Sequence, residues 1–273
     1  SWDLLHERST YTYGDDDDMP WETNFFDYGV VFPHPFGKDN NQLFTTLLTL
    51  SPVGDELTLE FARELVVQEE LGQDDIPDYL SISFSSTDYV GHMFGPASLE
   101  SEDNLLRLDK TLSELFAFIN KQVGLEQTLI VLSSDHGAAE VPAQLNEFGI
   151  EAQYFMPNEL DKKRVIEAIK AKYGIAEELI SEFEHPYIYL NNDILQKKGL
   201  DANEVSRTIA AELANFNGVA FAVPSIDLIE GKMPDTRLYR QILRNFNPKR
   251  SGDIYLVLEP QWFVNEFDGL TVA

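Results

Sequence analysis

Between Asp55 and Leu71 the apolar positions Leu57, Phe61, Leu65 and Val66 keep the three-to-four-residue spacing of one helical face, and Gly72 closes the run. The pattern predicts an amphipathic helix. Its period then changes. Tyr79 to Phe84 is an apolar run of strand length after which the chain should simply turn, and Thr128 to Leu132 is a second such run. Between them Ser98 opens a helix whose stripe is Leu105, Leu108, Leu112, Leu115, Phe116 and Ile119. Strand, helix and strand, with strands of the buried type, form the βαβ pattern of a mostly parallel sheet covered by helices. The predicted fold class is α/β.

Beyond about residue 148 the elements shorten. Gln153–Phe155, Pro186–Leu190 and Val219–Val223 read as strands, and Asn158–Tyr173 and Asp201–Phe216 as helices. Asn158 and Asp201 supply side-chain oxygens that can accept from the free backbone N–H groups of a helix start. These elements predict a small α+β unit inserted in the connectivity of the main sheet. Ser251 to Leu258 reads as a further core strand that returns the chain to the first sheet. The expected division is a core part over 1–148, an α+β insertion over 149–226 and a return to the core sheet over 227–273. Residues 1–50 show no period and suggest an ordered excursion over a surface, with Asp15 to Asp18 as a solvated charge run, since a calcium loop needs alternate spacing and a closing Glu.

Composition narrows the function. With 43% hydrophobic and 12% aromatic residues in 273, the chain can build a sizeable core. Twenty basic residues against 47 acidic ones give a net charge of −27, which disfavours nucleic acid and anionic lipid as partners. No apolar run approaches the roughly 18 residues of a membrane helix. The absence of Cys removes thiolate chemistry, so catalysis would rest on oxygen and imidazole. Nothing in the sequence sets an oligomeric state.

Both core runs end unusually. Asp88 and His92 flank Gly91 after the first, and Asp135, His136 and Gly137 follow the second. Ligands of open α/β sheets sit beyond the carboxyl ends of the strands, so the two pairs would meet in one crevice if the strands are neighbours. Carboxylate oxygen with imidazole nitrogen is a zinc donor set, with bonds of about 2.0–2.2 Å. One such pair alone is more simply a turn aspartate and an exposed histidine; two strands ending alike point to a metal site. The glycines would let backbone pass close to a substrate.

The run Asp88-x-x-Gly91-His92-x-x-Gly95-Pro96, with Ser134-Asp135-His136-Gly137 and the flanking Arg107 to Lys110, resembles the metal-binding signature of the alkaline phosphatase superfamily. The branch it is similar to is that of type I phosphodiesterases and nucleotide pyrophosphatases, which also holds bacterial phosphate-insensitive alkaline phosphatases. The likeness spans most of 40–140 and, more weakly, 225–273. It implies two zinc ions, one on Asp88 and His92 and one on Asp135 and His136, a small-molecule phosphate ester as substrate, and a periplasmic or secreted location. Two adjacent ions can stabilise both the attacking and the leaving oxygen of a phosphoryl displacement.

The family's Thr or Ser nucleophile, an Asp ligand upstream and a His ligand after a strand like 251–258 have no match in this chain. Ser51 reads as a helix cap or turn residue, His6, His34 and His185 as surface or packing histidines, and the basic residues of 237–250 as surface groups. The chain is therefore expected to be part of a longer enzyme, to bind zinc weakly on its own and to turn over little. The resemblance implies a phosphomonoesterase. A phosphodiesterase, a relative of the cofactor-independent phosphoglycerate mutases and a non-catalytic acidic binding module stay open as alternatives.

Overall fold

The structure, a computed structural model, describes residues 1–15, 17–38, 42–162 and 164–265. Asp16 of the acid run and residues 266–273 of the expected return segment lie outside the described residues. The chain divides into two units, Ser1–Phe148 and Gly149–Asp268.

In the first unit the helices are α1 (Phe44–Thr49), α2 (Pro52–Gln68), α3 (Ser86–Phe94), α4 (Leu99–Gln122) and α5 (Pro142–Glu147). Pro52 starts α2 where its missing N–H costs nothing, and the Ser98 hydroxyl accepts from Ser101 N at 3.1 Å to cap α4. Both predicted helices form, but their buried faces differ from the predicted ones. On α2 the buried stripe is Leu59, Ala62 and Val66, while Leu57 and Phe61 are exposed. On α4 the fully buried positions are largely polar, Glu100, Ser101, Asp103, Asn104 and Thr111, and the apolar stripe is only half covered, with Leu105 exposed.

The same cause accounts for a larger difference. The runs 79–84 and 128–132 are not strands among the described residues, and apart from Thr128 N, which donates to Leu125 O of the turn before it, no backbone hydrogen bond joins either to another segment there. A strand needs a hydrogen-bonding neighbour, and none of the described residues of this unit supplies one. Leu80, Ile82 and Phe84 still alternate half-buried with exposed Tyr79, Ser81 and Ser83, whereas Leu129 to Leu132 are exposed throughout.

The excursion 1–36 lies on the buried polar face of α4. Asp103 accepts from Trp2 Nε1 (2.7 Å), Leu5 N (2.7 Å), the Tyr11 hydroxyl (2.5 Å) and Arg107 Nε (2.7 Å). Trp2 and Tyr28 then join Leu47, Leu50, Val90, Met93 and Phe94 in one apolar cluster. Asp17 belongs to this anchorage and not to a solvated run, since it pairs with Arg8 and accepts from Phe32 N at 3.3 Å.

The second unit holds α6 (Arg164–Tyr173), α7 (Asn192–Lys197), α8 (Ala202–Leu213), α9 (Ser225–Ile229) and α10 (Arg237–Asn245). Its strands are β1 (Gln153–Phe155), β2 (Ile180–Glu184), β3 (Tyr187–Leu190), β4 (Val219–Pro224), β5 (Ile254–Leu258) and β6 (Trp262–Val264). β1 pairs parallel with β6, and the other strands form an antiparallel sheet in the order β2-β3-β5-β4. Asp201 caps α8 as predicted, accepting from Asn203 N at 2.8 Å. The predicted helix over 158–173 divides into a 3-10 turn, Pro157–Lys162, and α6. The run 251–258 does not return to the first unit. It becomes β5, where Ile254 faces Ile188 in register and both are fully buried. The β3 edge and the apolar cluster of this unit satisfy both its backbone and its side chains. With parallel and antiparallel strands and covering helices, the fold class is α/β.

Candidate metal centre

The segment expected to turn after 79–84 instead forms α3. Ser86, Val90, Met93 and Phe94 recur at helical spacing and are buried, which turns Asp88, Tyr89 and His92 outward. Four residues apart on one helix, Asp88 and His92 share a face because the sequence is helical there. Asp88 lies in the first turn of α3 and His92 in the last. Two neighbouring helices fix α3: Asp55 of α2 accepts from Ser86 N at 3.1 Å, and Asn104 of α4 donates to the Thr87 hydroxyl at 3.0 Å. Gly95, at φ 88°, ends the helix in a conformation that glycine adopts without strain.

Asp88 Oδ1 is 3.3 Å from His92 Nε2 and 3.3 Å from His136 Nε2, and His136 Nε2 is 3.8 Å from Asp135 Oδ2. The ends of the two apolar runs thus meet, and all four residues singled out in the sequence stand at one place. His136 Nδ1 lies 3.0 Å from Gly137 O, an N–H donor geometry that directs Nε2 at Asp88. That bond, with Asp135 beside it, pushes the imidazole pKa up. An added Cβ on Gly91 or Gly137 would meet nothing within 4 Å, so the space beside both motifs is open.

These donors suit a zinc ion in type and in pairwise spacing. Bonds of about 2.0–2.2 Å in a tetrahedral shell separate neighbouring donors by about 3.3–3.6 Å, the range in which both Asp88–His contacts fall. They do not close a shell: among the described residues no three or more His, Asp or Glu groups are arranged to hold an ion. Ser51 stands at the start of α2, but its hydroxyl donates backwards to Leu48 O at 2.7 Å and is fully buried. Arg107 is occupied by Asp103 and by the Asp3 carbonyl.

A second histidine-carboxyl centre was not visible in the sequence. His34 Nε2 lies 3.1 Å from Glu100 Oε1, and His34 Nδ1 lies 3.3 Å from Tyr28 O, with both side chains wholly buried. Burial pushes the Glu100 carboxyl up to about 8 and the His34 imidazole down to about 4. At neutral pH the contact is therefore a neutral hydrogen bond, Glu100 O–H to His34 Nε2, and not an ion pair. Glu22, also buried, is pushed up to about 8 by desolvation and by Glu100. Glu22 Oε1 and Glu100 Oε2 are buried without a hydrogen-bond partner, which suits protonated, uncharged groups. The only sequence signal for this centre is the acidic first turn of α4.

The family model described as "Type I phosphodiesterase / nucleotide pyrophosphatase" matches residues 9–271. A protein of Myroides odoratus named "Calcium-transporting ATPase" is 32% identical over 98% of this chain and 49% of its own length. The alkaline phosphatase PhoV of Synechococcus elongatus is 31% identical over 96% of this chain and 46% of its own length, and PafA of Elizabethkingia meningoseptica 30% over 94% and 46%. A crystal structure of wild-type PafA superposes with a TM-score of 0.87 at 28% identity, covering 100% of this chain and 51% of that one. The chain spans about half the length of the relatives it matches.

Proposed function

The chain belongs to the type I phosphodiesterase/nucleotide pyrophosphatase family of the alkaline phosphatase superfamily, and from that membership we propose that it is the metal-binding part of a phosphoric ester hydrolase. The observation that carries the reading is the meeting of Asp88, His92, Asp135 and His136 at the ends of two separate segments. Asp88 and His92 would hold one zinc ion, and Asp135 and His136 a second. Bound there, zinc supplies Lewis-acid polarisation of a phosphoryl oxygen and offsets the local negative charge that would repel a phosphate ester.

The chain's own part is orientation. α3 presents Asp88 and His92 together, and the Gly137 carbonyl holds the tautomer that leaves His136 Nε2 free to bind. The open space at Gly91 and Gly137 admits a small ester. The nucleophile and the remaining ligands are not among these residues, so the 273-residue chain alone should bind zinc weakly and hydrolyse little. The relatives named alkaline phosphatases favour monoesters, and the name of the matching family favours diesters as the second reading. Among the described residues no helix is long and apolar enough to cross a membrane, and the proposed location is the periplasm or the cell exterior.

The test is kcat/KM for p-nitrophenyl phosphate against bis-p-nitrophenyl phosphate with zinc, using the polypeptide encoded by the whole reading frame. Faster monoester cleavage supports the phosphatase and faster diester cleavage the phosphodiesterase. Failure to cleave either overturns the hydrolase reading for simple esters.

A further inference from the structure

Two features of the second unit take no part in the metal centre, His185 and the basic stretch 237–250. That stretch holds five of the chain's 20 basic residues, Arg237, Arg240, Arg244, Lys249 and Arg250, and no acidic one, in a chain of net charge −27. All five are exposed. Arg240 pairs with Asp235 at 2.6 Å, whereas Arg237 and Arg244 meet no carboxylate among the described residues.

Both features border one cavity of about 650 Å³, walled by α10, β5, β6 and the turn at His185 and Pro186. α10 turns Leu238, Gln241, Ile242 and Asn245 into it, the i, i+3, i+4, i+7 stripe of one helical face. Tyr255 and Trp262 add aromatic rings to the wall. Among the described residues no hydrogen bond reaches the side-chain amide of Gln241 or Asn245. Residues three and four apart are neighbours on a helix surface, so Arg237 and Arg244 stand on either side of Gln241.

Apolar and aromatic walls with a few convergent polar groups, at a volume within the roughly 300–1,000 Å³ of small-molecule sites, describe a ligand site. Its chemistry selects the ligand. Arginines without an acidic partner attract an anion at a place where the surrounding charge repels one. The rings and the apolar floor require an apolar body, which a bare inorganic anion lacks. The two amides and His185 offer hydrogen bonds that an acyl chain cannot use, and Glu259, the one carboxylate on the described lining, requires an N–H or O–H donor.

We infer that this cavity binds an aromatic organic anion, with its rings against Tyr255 and Trp262, its negative group at Arg237 and Arg244, and a hydrogen-bond donor toward Glu259. The site does not depend on the hydrolase reading, because all of these residues belong to the second unit.

Calorimetry on the polypeptide of the whole reading frame tests it with anilinonaphthalene sulfonate, an aromatic anion with one N–H donor, and with its uncharged analogue phenylnaphthylamine. The sulfonate should bind one to one and quench the emission of Trp262, read as the difference from Trp262→Phe, since Trp2 and Trp21 are buried. Arg237→Glu combined with Arg244→Glu should weaken the sulfonate at least about tenfold and the uncharged analogue less than about twofold. Both side chains are in solvent, so the thermal midpoint should not move. Absence of one-to-one binding, as when other polypeptide fills the cavity, would overturn the inference. Equal loss of both probes in the double variant would overturn it too, as would sulfonate binding that the double variant leaves intact.

Discussion

The first unit contains two histidine-carboxyl contacts of nearly equal length and opposite character. His92 and His136 approach Asp88 at 3.3 Å with side chains 42–57% exposed, while His34 meets Glu100 at 3.1 Å with both side chains fully buried. Distance does not separate them; solvent does. Water screens the exposed groups, so they can be given to an ion at little cost in stability. Desolvation makes the buried pair neutral, and its one proton turns it into a structural clasp. The lesson is that a histidine beside a carboxylate says little about function until its burial is known.

The largest effect is expected beside the buried pair, at Asp103, a charged neighbour of His34. Asp103→Ala removes the acceptor of Trp2, Leu5, Tyr11 and Arg107 at once, and should destabilise the first unit by about 3–5 kcal/mol in urea unfolding. At the exposed centre Asp88→Asn should weaken zinc binding at least about tenfold by calorimetry, while changing stability by under about 0.5 kcal/mol. Comparable destabilisation by both substitutions would erase the distinction.

Acidity sharpens it further. Glu22 and Glu100 have folded pKa values of about 8, raised from 4.5, so between these values the folded state keeps protons that the unfolded chain has lost. Stability is then full below pH 4.5 as far as these two groups are concerned, falls as pH rises, and levels off above about 8. The slope from pH 7 to pH 8 should reach about 1 kcal/mol per group, and Glu22→Gln should remove its share of that slope in urea midpoints measured across the range. His34 runs the other way, since its lowered pKa weakens the fold as pH falls from 6.5 towards about 4. The smallest effect is expected at Gly91, where a Cβ meets nothing. Gly91→Ala should stabilise α3 by about 0.5–1 kcal/mol, read from the thermal midpoint.

What could be read from the sequence follows the range of the interactions involved. The caps at Ser98 and Asp201, the existence of α2, α4 and α8, and the strands at 153–155 and 219–223 depend on neighbours a few residues away. The buried faces of α2 and α4 were not readable, because each helix carries more than one apolar or half-apolar stripe and only the tertiary partner chooses among them. The place of β5 was misread for the same reason, since an apolar strand does not announce which sheet will pair with it. At the metal centre, residue types and motif spacing picked out Asp88, His92, Asp135 and His136, yet not the helix that carries the first two. Gly91 argues against a helix by propensity, and the packing of Val90 and Phe94 overrides it. The neutral clasp at Glu100 was invisible, because burial alone turns an ordinary Glu into a proton carrier.

The attachment of Trp2 to Asp103 has a consequence for the order of events during synthesis. The two residues are 101 positions apart, and Tyr11 waits across a separation of 92 for the same carboxylate. At ribosomal speeds of about 5–20 residues per second, Trp2 emerges about 5–20 s before the carboxylate that anchors it. The apolar cluster around Trp2 and Tyr28 therefore closes late, over a long loop, and the first unit should fold slowly for its size.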